Sequence, residues 1–237
     1  MMLGEIVSEI PRVFTVYNLI LLAEASLTTL MLSAVGCLAG LVFGFGLALA
    51  RGTRAWPLLP LRILALLYAE VVRRVPFLVT LMLFFFGAQV VGLDLSPLTV
   101  ALIATSVIST AFVGEIIRSG LLAVRPAQVE AAAVMNFSKW QTLRLVALPQ
   151  AWPLILPPVF GYFVLFIKDT ALASQVGVLE LTDAGKILNT KGFSSFLVYG
   201  TVLVLYFVIS YPLARLGVYL ESRIGASRNP RSRRAIR

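Results

Sequence analysis

The sequence predicts an all-α membrane protein with five transmembrane helices. Of its 237 residues, 59% are hydrophobic and 13% are charged, whereas an average soluble domain is about half apolar and about a quarter charged. Five segments of 19 to 26 residues contain no Asp, Glu, Lys or Arg: 25–50, 75–93, 95–114, 145–167 and 192–214. A helix that crosses a bilayer core needs about 20 apolar residues, so each segment is long enough to form a span.

The distribution of charge predicts an outside N-terminus and an inside C-terminus. If the chain starts outside and crosses five times, most basic residues lie inside, as the positive-inside rule requires. The outer side receives Arg12, Lys186 and Lys191, and the inner side receives Arg51, Arg54, Arg62, Arg73, Arg74, Arg118, Arg125, Lys139, Arg144 and the tail arginines Arg223, Arg228, Arg231, Arg233, Arg234 and Arg237. The net charge of +9 therefore favours contact of a basic tail, 223–237, with anionic lipid over binding of nucleic acid.

The first 24 residues predict an amphipathic helix on the membrane surface. Apolar residues recur at three- and four-residue steps from Ile6 to Tyr17, a spacing that places them on one helix face. Glu5 and Glu9 stand where a cleaved signal peptide would be basic, so a signal peptide of the usual kind is not predicted.

Small residues and prolines characterise the spans of the transmembrane domain, 25–222. Gly36, Gly40, Gly44 and Ala48 recur every four residues in span one, a pattern that lets two helix backbones approach closely. The segment 58–74 is apolar but interrupted by charges, so it is either an inner-surface helix or an inner extension of span two, with a break at Pro76. Span four is predicted to be kinked, because it contains four prolines: Pro149, Pro153, Pro157 and Pro158.

Catalytic chemistry is not predicted. The sequence has no His and a single Cys within an apolar span, which excludes a His-containing metal site and a disulfide framework; no metal site is predicted. No Walker motif is present either, so the chain alone cannot hydrolyse ATP. If it moves a solute uphill, the energy must come from an ion gradient or from a partner.

A polar loop, about 124–148, connects spans three and four. It contains Ala127-Gln-Val-Glu130-Ala-Ala, then Asn136, and it ends at Leu148-Pro149-Gln150-Ala151. Around it stand Glu70-Val-Val-Arg73-Arg-Val-Pro76, Gly114-Glu115-Ile-Ile-Arg118-Ser-Gly120 and Lys168-Asp169-Thr170-Ala171-Leu172. In this order and spacing the motifs resemble those of ABC importer permeases with an EAA loop, of the histidine/glutamine/glutamate type.

This resemblance implies a type I ABC importer permease (MetI-like) in a bacterial inner membrane that takes up a polar amino acid. In that family the EAA segment is a coupling helix that docks in a cleft of the ATPase, which implies that role for Gln128, Glu130, Ala131, Ala132 and Asn136. The implied partners are a cytoplasmic ABC ATPase dimer, a second permease subunit (identical or paralogous) and an external amino-acid-binding protein. ATP and magnesium would bind to the ATPase, and no cofactor is predicted in this chain.

Asn136 departs from the family pattern, which has Gly after the coupling helix, and Ala127 replaces another Gly. Asn is the next most favourable residue for a left-handed helix cap, so the helix is still predicted to end there, although the tightness of the turn is left open.

Other polar residues are candidates for a substrate path or for a gate. Lys168, Asp169 and Thr170 follow 23 uncharged residues at the outer end of span four, where ionisable groups usually face a cavity or a partner. Two alternatives remain equal for them: a role in the path, or a mutual Lys168–Asp169 interaction or snorkelling to the interface. Further path candidates are Glu70, Arg73 and Thr80, and the structural or gate candidates are Glu115, Arg118, Pro76 and Pro149. Both Glu–Arg pairs have the three-residue spacing of one helix face.

A stand-alone secondary transporter or channel for a small polar solute is the alternative prediction. An intramembrane enzyme is less favoured than either, because no paired catalytic residues are apparent.

Overall fold

A computed structural model describes residues 3–53 and 56–226, and it describes side chains for 8–53 and 56–223. The described part of the chain is helical and has no β-strand. Arg54 and the tail from residue 227, which were predicted to lie inside and to meet lipid, fall outside these ranges. The helices are α1 (Leu3–Val13), α2 (Val16–Gly52), α3 (Leu59–Arg74), α4 (Phe77–Val90), α5 (Pro97–Leu122), α6 (Pro126–Val134), α7 (Lys139–Gln141), α8 (Leu148–Asp169), α9 (Leu181–Thr190) and α10 (Ser195–Ala226).

Four helical segments are individually long and apolar enough to cross a membrane: Val16–Gly52, Pro97–Leu122, Lys139–Val176 and Ser195–Arg223. The fifth predicted span corresponds to α3 and α4, which together pass the same criterion but are bent by 111°. Alone, α4 has 14 residues, or about 21 Å of helix, which is shorter than a bilayer core of about 30 Å. The predicted all-α fold is confirmed, with four candidate spans in the described chain, or five if the bent α3–α4 pair counts as one.

The break between α3 and α4 lies at Pro76, as predicted. Val75 has an extended backbone (φ −90°, ψ 134°), which is the conformation that a following proline favours. A straight extension of span two through 58–74 is therefore excluded. Instead, α3 lies against α5, where the Tyr68 hydroxyl donates to the carbonyl oxygen of Val107 at 2.6 Å.

Helices α2 and α5 run parallel and form the centre of the molecule. A Cβ atom on Gly44 would lie 2.7 Å from the backbone nitrogen of Gly114, and a Cβ atom on Gly40 would lie 2.9 Å from the carbonyl oxygen of Ser109. A Cβ atom on Gly36 would meet side chains instead, Phe166 at 2.6 Å and Thr105 at 3.4 Å. The small-residue face predicted for span one is thus confirmed, and it brings the two backbones into contact.

Helix α8 continues through Pro153, Pro157 and Pro158 from Leu148 to Asp169. The regular hydrogen-bond pattern is lost earlier, in a π-helical turn at Thr142–Ala147. Pro149 follows this turn and has no N–H to donate, so the wider turn accommodates the proline at the start of the span.

The two ends of the bundle differ in their attachments. We call them the α6 end, where α2, α5 and α10 finish, and the α9 end, where these helices begin. At the α9 end, Glu9 of α1 accepts a hydrogen bond from the Ser194 N–H at 2.8 Å, and Lys191 donates to Asn18 at 3.1 Å. The segment 1–24 thus contains α1 and the first residues of α2. That the α6 end faces the cytoplasm stays a prediction.

Candidate functional site

The predicted coupling segment folds as the short helix α6, which projects from the end of the bundle. Gln128, Glu130 and Ala131 are exposed, whereas Ala132 is buried (3% exposed). Helix α6 packs against the π-helical turn, so one face is supported and the others are free. The free surface includes apolar side chains, of which Val134 is 86% and Met135 is 67% exposed. Exposed apolar residues beside polar ones on a short helix are typical of a protein-docking surface.

Asn136 ends α6 in the left-handed conformation, with φ of 57°, and it is the one non-glycine residue with positive φ in the described chain. The Asn136 N–H donates to the Ala133 carbonyl and the Phe137 N–H donates to the Ala132 carbonyl, both at 3.0 Å. These two bonds are the Schellman arrangement, which usually requires glycine because a Cβ atom disfavours positive φ. The predicted cap is confirmed, and the turn is as tight with Asn as the motif requires.

A second hydrogen-bonded turn follows directly after Phe137. The Ser138 side chain accepts from the Gln141 N–H at 3.2 Å, and the Gln141 side chain accepts from the Ser138 N–H at 2.8 Å. This reciprocal capping box starts α7. At the other end of α6, the Ala123 N–H donates to the Ser119 carbonyl at 3.1 Å and the Gln128 N–H donates to the Arg125 carbonyl at 3.0 Å. Short hydrogen-bonded connections therefore join α6 to α5 on one side and to α7 on the other. Gln128 also lines a polar cavity of about 530 Å³ together with Arg125 and with Gln150 in the first turn of α8.

Glu115 is the centre of an ion-pair network near the α6 end. The predicted contact with Arg118 on the same helix is present. In addition, Arg51 from the end of α2 donates to Glu115 at 2.5 Å, and Arg73 from α3 lies 3.6 Å away. One carboxylate therefore links three helices. The Arg51 side chain is 6% exposed, so Glu115 neutralises a charge that is removed from solvent.

Glu70 extends this network toward solvent. It accepts from Arg73 at 3.0 Å, as the spacing predicted, and from Arg74 at 2.8 Å. The Glu70 side chain is 43% exposed and that of Arg74 is 78% exposed, so this outer pair contributes little to stability.

Lys168 lies away from this network, on the half of α8 toward the α9 end. It lines a cavity of about 520 Å³ between α8 and α10, whose other lining residues include Leu203, Tyr206, Ser210 and Tyr211. Among the described residues, Lys168 and Asp169 form no ion pair with each other, as expected for neighbours on a helix. Lys168 is exposed, and the other residues that line this cavity are uncharged.

The remaining path candidates are not brought together with Lys168. Thr170 is fully buried and donates to the Ile167 carbonyl at 2.7 Å. Thr80 is also buried, and its hydroxyl donates to the Pro76 carbonyl at 3.4 Å. Glu70 and Arg73 belong to the network around Glu115. The charged and coupling candidates thus separate into the α6 surface, the Glu115 network and the Lys168 cavity, whereas Thr80 and Thr170 bond only to the backbone of their own helical segments.

Comparison with known proteins decides the family. The family model described as the binding-protein-dependent transport system inner membrane component matches residues 40–225. The chain belongs to this family. It is a multi-pass membrane protein, and its family members are inner-membrane transport components.

Named relatives cover most of the chain. The chain is 37% identical over 185 residues to the probable amino-acid ABC transporter permease protein YckA of Bacillus subtilis (strain 168), covering 76% of this chain and 79% of that protein. It is 32% identical over 206 residues to the glutamine transport system permease protein GlnP of Escherichia coli (strain K12), covering 86% of this chain and 93% of that protein.

Solved structures have the same fold. A chain from the crystal structure of an amino acid ABC transporter with histidines superimposes with a TM-score of 0.81 at 30% identity, covering 88% of this chain and 96% of that one. A chain of the MetNI methionine ABC transporter gives a TM-score of 0.76 at 21% identity, covering 89% of this chain and 99% of that one. The predicted MetI-like architecture is confirmed.

Two features of this permease-family chain were not predicted. The first is the contact between Arg51 and Glu115. The charge distribution predicted that Arg51 lies on the inner side of the membrane, and both residues lie near the predicted inner ends of their spans, but nothing in the sequence indicated that they meet. The second feature is Glu180, which is fully buried and accepts a hydrogen bond from Tyr206. Its position before a helical segment was a weak signal, and nothing in the sequence pairs it with Tyr206.

Proposed function

We propose that this chain is the permease subunit of an ABC importer that takes up a polar amino acid. Its family and the names of its relatives support transport of an amino acid. The observation that carries the coupling role is the geometry of α6: an exposed helix, held at both ends by hydrogen-bonded turns, on a protein that has no ATP-binding motif of its own. A stand-alone transporter or channel is not favoured, because the family is one of binding-protein-dependent systems.

In the proposed assembly, α6 docks on a cytoplasmic ABC ATPase dimer, which binds ATP and magnesium. Glu130 and Gln128 supply polar contacts to the ATPase, while Ala131, Val134 and Met135 supply the apolar ones. A second permease subunit completes the pathway, and an external binding protein delivers the amino acid. Closure of the ATPase dimer would draw the two copies of α6 together and shift the permease between inward- and outward-facing states.

Lys168 is the residue that we propose to meet the substrate. Its ammonium group at the α8–α10 cavity suits the carboxylate of an amino acid. Asp169 does not line this cavity, so its role in the path stays a prediction. The path roles of Glu70, Arg73, Thr80 and Thr170 stay predictions. A structural role suits the four remaining candidates better than contact with substrate. Glu115 and Arg118 hold helices together at the α6 end, and Pro76 and Pro149 lie at the two proline-linked breaks.

Purification of the complex from its native membrane, followed by reconstitution in vesicles, tests this proposal. We expect the chain to co-purify with an ATPase, and labelled polar amino acids to accumulate only when ATP and the binding protein are both supplied. The matched control is the same vesicle with a non-hydrolysable ATP analogue. Uptake by the isolated chain, driven by a sodium or proton gradient alone, would instead establish the stand-alone transporter.

A further inference from the structure

A buried carboxyl group lies at the start of α9. Glu180 is 0% exposed and precedes α9 as its N-cap residue. Its Oε1 atom accepts a hydrogen bond from the Asp183 N–H at 2.9 Å. Helix capping alone does not explain why a glutamate stands at this position. Ser, Thr, Asp or Asn can cap a helix with a shorter side chain, without burying a long acidic one.

The second oxygen of Glu180 explains the longer side chain. Oε2 accepts a hydrogen bond from the Tyr206 hydroxyl of α10 at 2.7 Å, and that hydroxyl lies 3.2 Å from the Thr182 hydroxyl. No basic side chain in the described chain forms an ion pair with Glu180. Lys186, on the same helix, donates instead to the carbonyl and hydroxyl oxygens of Ser174. Glu180 is therefore held by hydrogen bonds from α9 and α10 alone.

Tyr206 connects this cluster to the cavity that contains Lys168. It lines that cavity, and Ser210, one turn further along α10, also lines it. The Ser210 hydroxyl is buried and has no hydrogen-bond partner among the described residues. One face of the cavity thus depends on the orientation of a tyrosine whose hydroxyl is bound to α9, outside the cavity.

We infer that Glu180 is a positioning residue for the α8–α10 cavity: it fixes Tyr206 in the cavity wall and ties the shape of the cavity to the position of α9. The inference rests on the proposed function in one respect, since it takes this cavity to bind the amino acid. Because α9 lies at the end of the bundle opposite α6, an event that moves α9 relative to α10 would disturb the Glu180–Tyr206 contact, and with it this wall of the cavity.

Three conservative variants in the reconstituted complex test the inference. Glu180→Asp keeps the cap and the charge but is one methylene too short to reach Tyr206, whereas Glu180→Gln keeps the length. Tyr206→Phe removes the hydroxyl alone. We expect Glu180→Asp and Tyr206→Phe each to raise the substrate KM about threefold to tenfold, the equivalent of one hydrogen bond. The double variant should show the same increase as Tyr206→Phe alone, because that change already removes the contact with Glu180. Glu180→Gln should stay within about twofold of the wild type, as should the matched control Asp183→Asn on the same helix.

A second measurement does not depend on transport. Cys37 is the only cysteine in the sequence, so Ser210→Cys in a Cys37→Ala background places a single thiol at the cavity wall. We expect a small thiol reagent to modify this cysteine several-fold faster when Glu180→Asp or Tyr206→Phe is added, and at an unchanged rate with Asp183→Asn.

The two measurements separate the possible failures. If the wild-type complex accumulates no amino acid but the modification rates follow this pattern, the proposed function fails and the positioning role stands. If uptake is normal and neither the KM nor the modification rate responds to Glu180→Asp, the positioning role is wrong. Multiplicative effects in the double variant would also overturn it, because they would show that the two residues act separately.

Discussion

Arg51 and Glu115, which are 64 residues apart in the sequence, form an ion pair of 2.5 Å that joins the ends of α2 and α5. The arginine is nearly inaccessible to solvent, so its charge depends on this carboxylate. Because Arg73 and Arg118 approach the same carboxylate, Glu115 holds three helices at the end of the bundle from which α6 projects. In the proposed assembly, a force from α6 would therefore act on helices that this cluster holds together.

Replacement of Glu115 should be far more costly than replacement of Glu70. We expect Glu115→Gln to destabilise the protein by about 3 kcal/mol, because it leaves the buried Arg51 without a counter-charge. Glu70→Gln should cost less than about 1 kcal/mol, because Glu70 and Arg74 are solvent-exposed. Thermal unfolding of the two purified variants in the same detergent measures the difference. Equal losses of stability in the two variants would show that the ion pairs of Glu115 contribute no more than those of a surface residue.

Close packing of α2 on α5 predicts a sharp difference between two glycines of the same helix. Gly44→Ala should destabilise by about 1–3 kcal/mol, because its methyl group would meet the backbone of Gly114, which cannot rotate away. Gly46→Ala has no atom within 4 Å of the added Cβ, and it should stay within about 0.5 kcal/mol of the wild type. Unfolding temperature and yield of inserted protein report both effects. A neutral Gly44→Ala variant would contradict the packing described above.

Charge reversal at Glu130 tests the docking role of α6. Glu130 is exposed and makes no hydrogen bond or ion pair within the described part of the chain, so Glu130→Lys should leave folding and insertion unchanged. We expect it to release the ATPase or to uncouple ATP hydrolysis from uptake. Co-purification of the ATPase and the ratio of ATP hydrolysed to solute accumulated measure the two outcomes. Lys139→Glu, an exposed charge reversal just beyond the turn, is the control. Normal uptake by the Glu130→Lys variant would exclude the coupling assignment.

The left-handed turn at Asn136 predicts an order among substitutions. Asn136→Gly should be neutral or slightly stabilising, because glycine adopts positive φ without strain. Asn136→Val should cost about 1–2 kcal/mol locally, because a β-branched side chain disfavours this conformation. Because the destabilised segment is a surface turn, we expect little global unfolding. The main effects should be weaker binding of the ATPase and poorer coupling. The ATPase affinity of the three proteins, compared at equal expression, tests this order.

Glu180 predicts a dependence of stability on pH. Burial raises its pKa above the usual value for a glutamate, against the opposing effect of its hydrogen bonds, and an exposed glutamate titrates near about 4.3. The folded state therefore retains the proton at pH values where the unfolded state has lost it. In that range the stability falls as the pH rises, and it levels off once the pH passes the raised folded-state pKa.

The difference between wild-type and Glu180→Gln isolates this contribution, because glutamine does not titrate. The unfolding temperature of the wild type, relative to that of the variant, should decline from about pH 4.3 upward and then become constant. Asp183, whose pKa burial also raises, is present in both proteins. Its charge also raises the pKa of Glu180, so the difference reports Glu180 together with this coupling. A difference that is independent of pH would show that Glu180 keeps an ordinary pKa.

The membrane spans were predictable because they depend on local properties. A run of about 20 residues without charge specifies a span wherever it packs, and the four-residue glycine spacing of span one specifies a face for close contact. The order of short motifs around Glu130 was enough to indicate the family. Even the cap at Asn136 was predictable, because the left-handed tolerance of asparagine is a property of the residue itself.

Contacts between distant segments were decided by the tertiary structure. The bend of 111° between α3 and α4 could be located at Pro76, but its size depends on how α3 packs against α2 and α5. Arg51 meets Glu115, and Glu180 meets Tyr206, because helix packing brings together residues that no spacing rule connects. Hydrophobicity and helix propensity act over one or two helical turns, so they can be read directly from the sequence. The partner of a buried charge is different, because the cost of desolvating that charge arises only when the helices pack together.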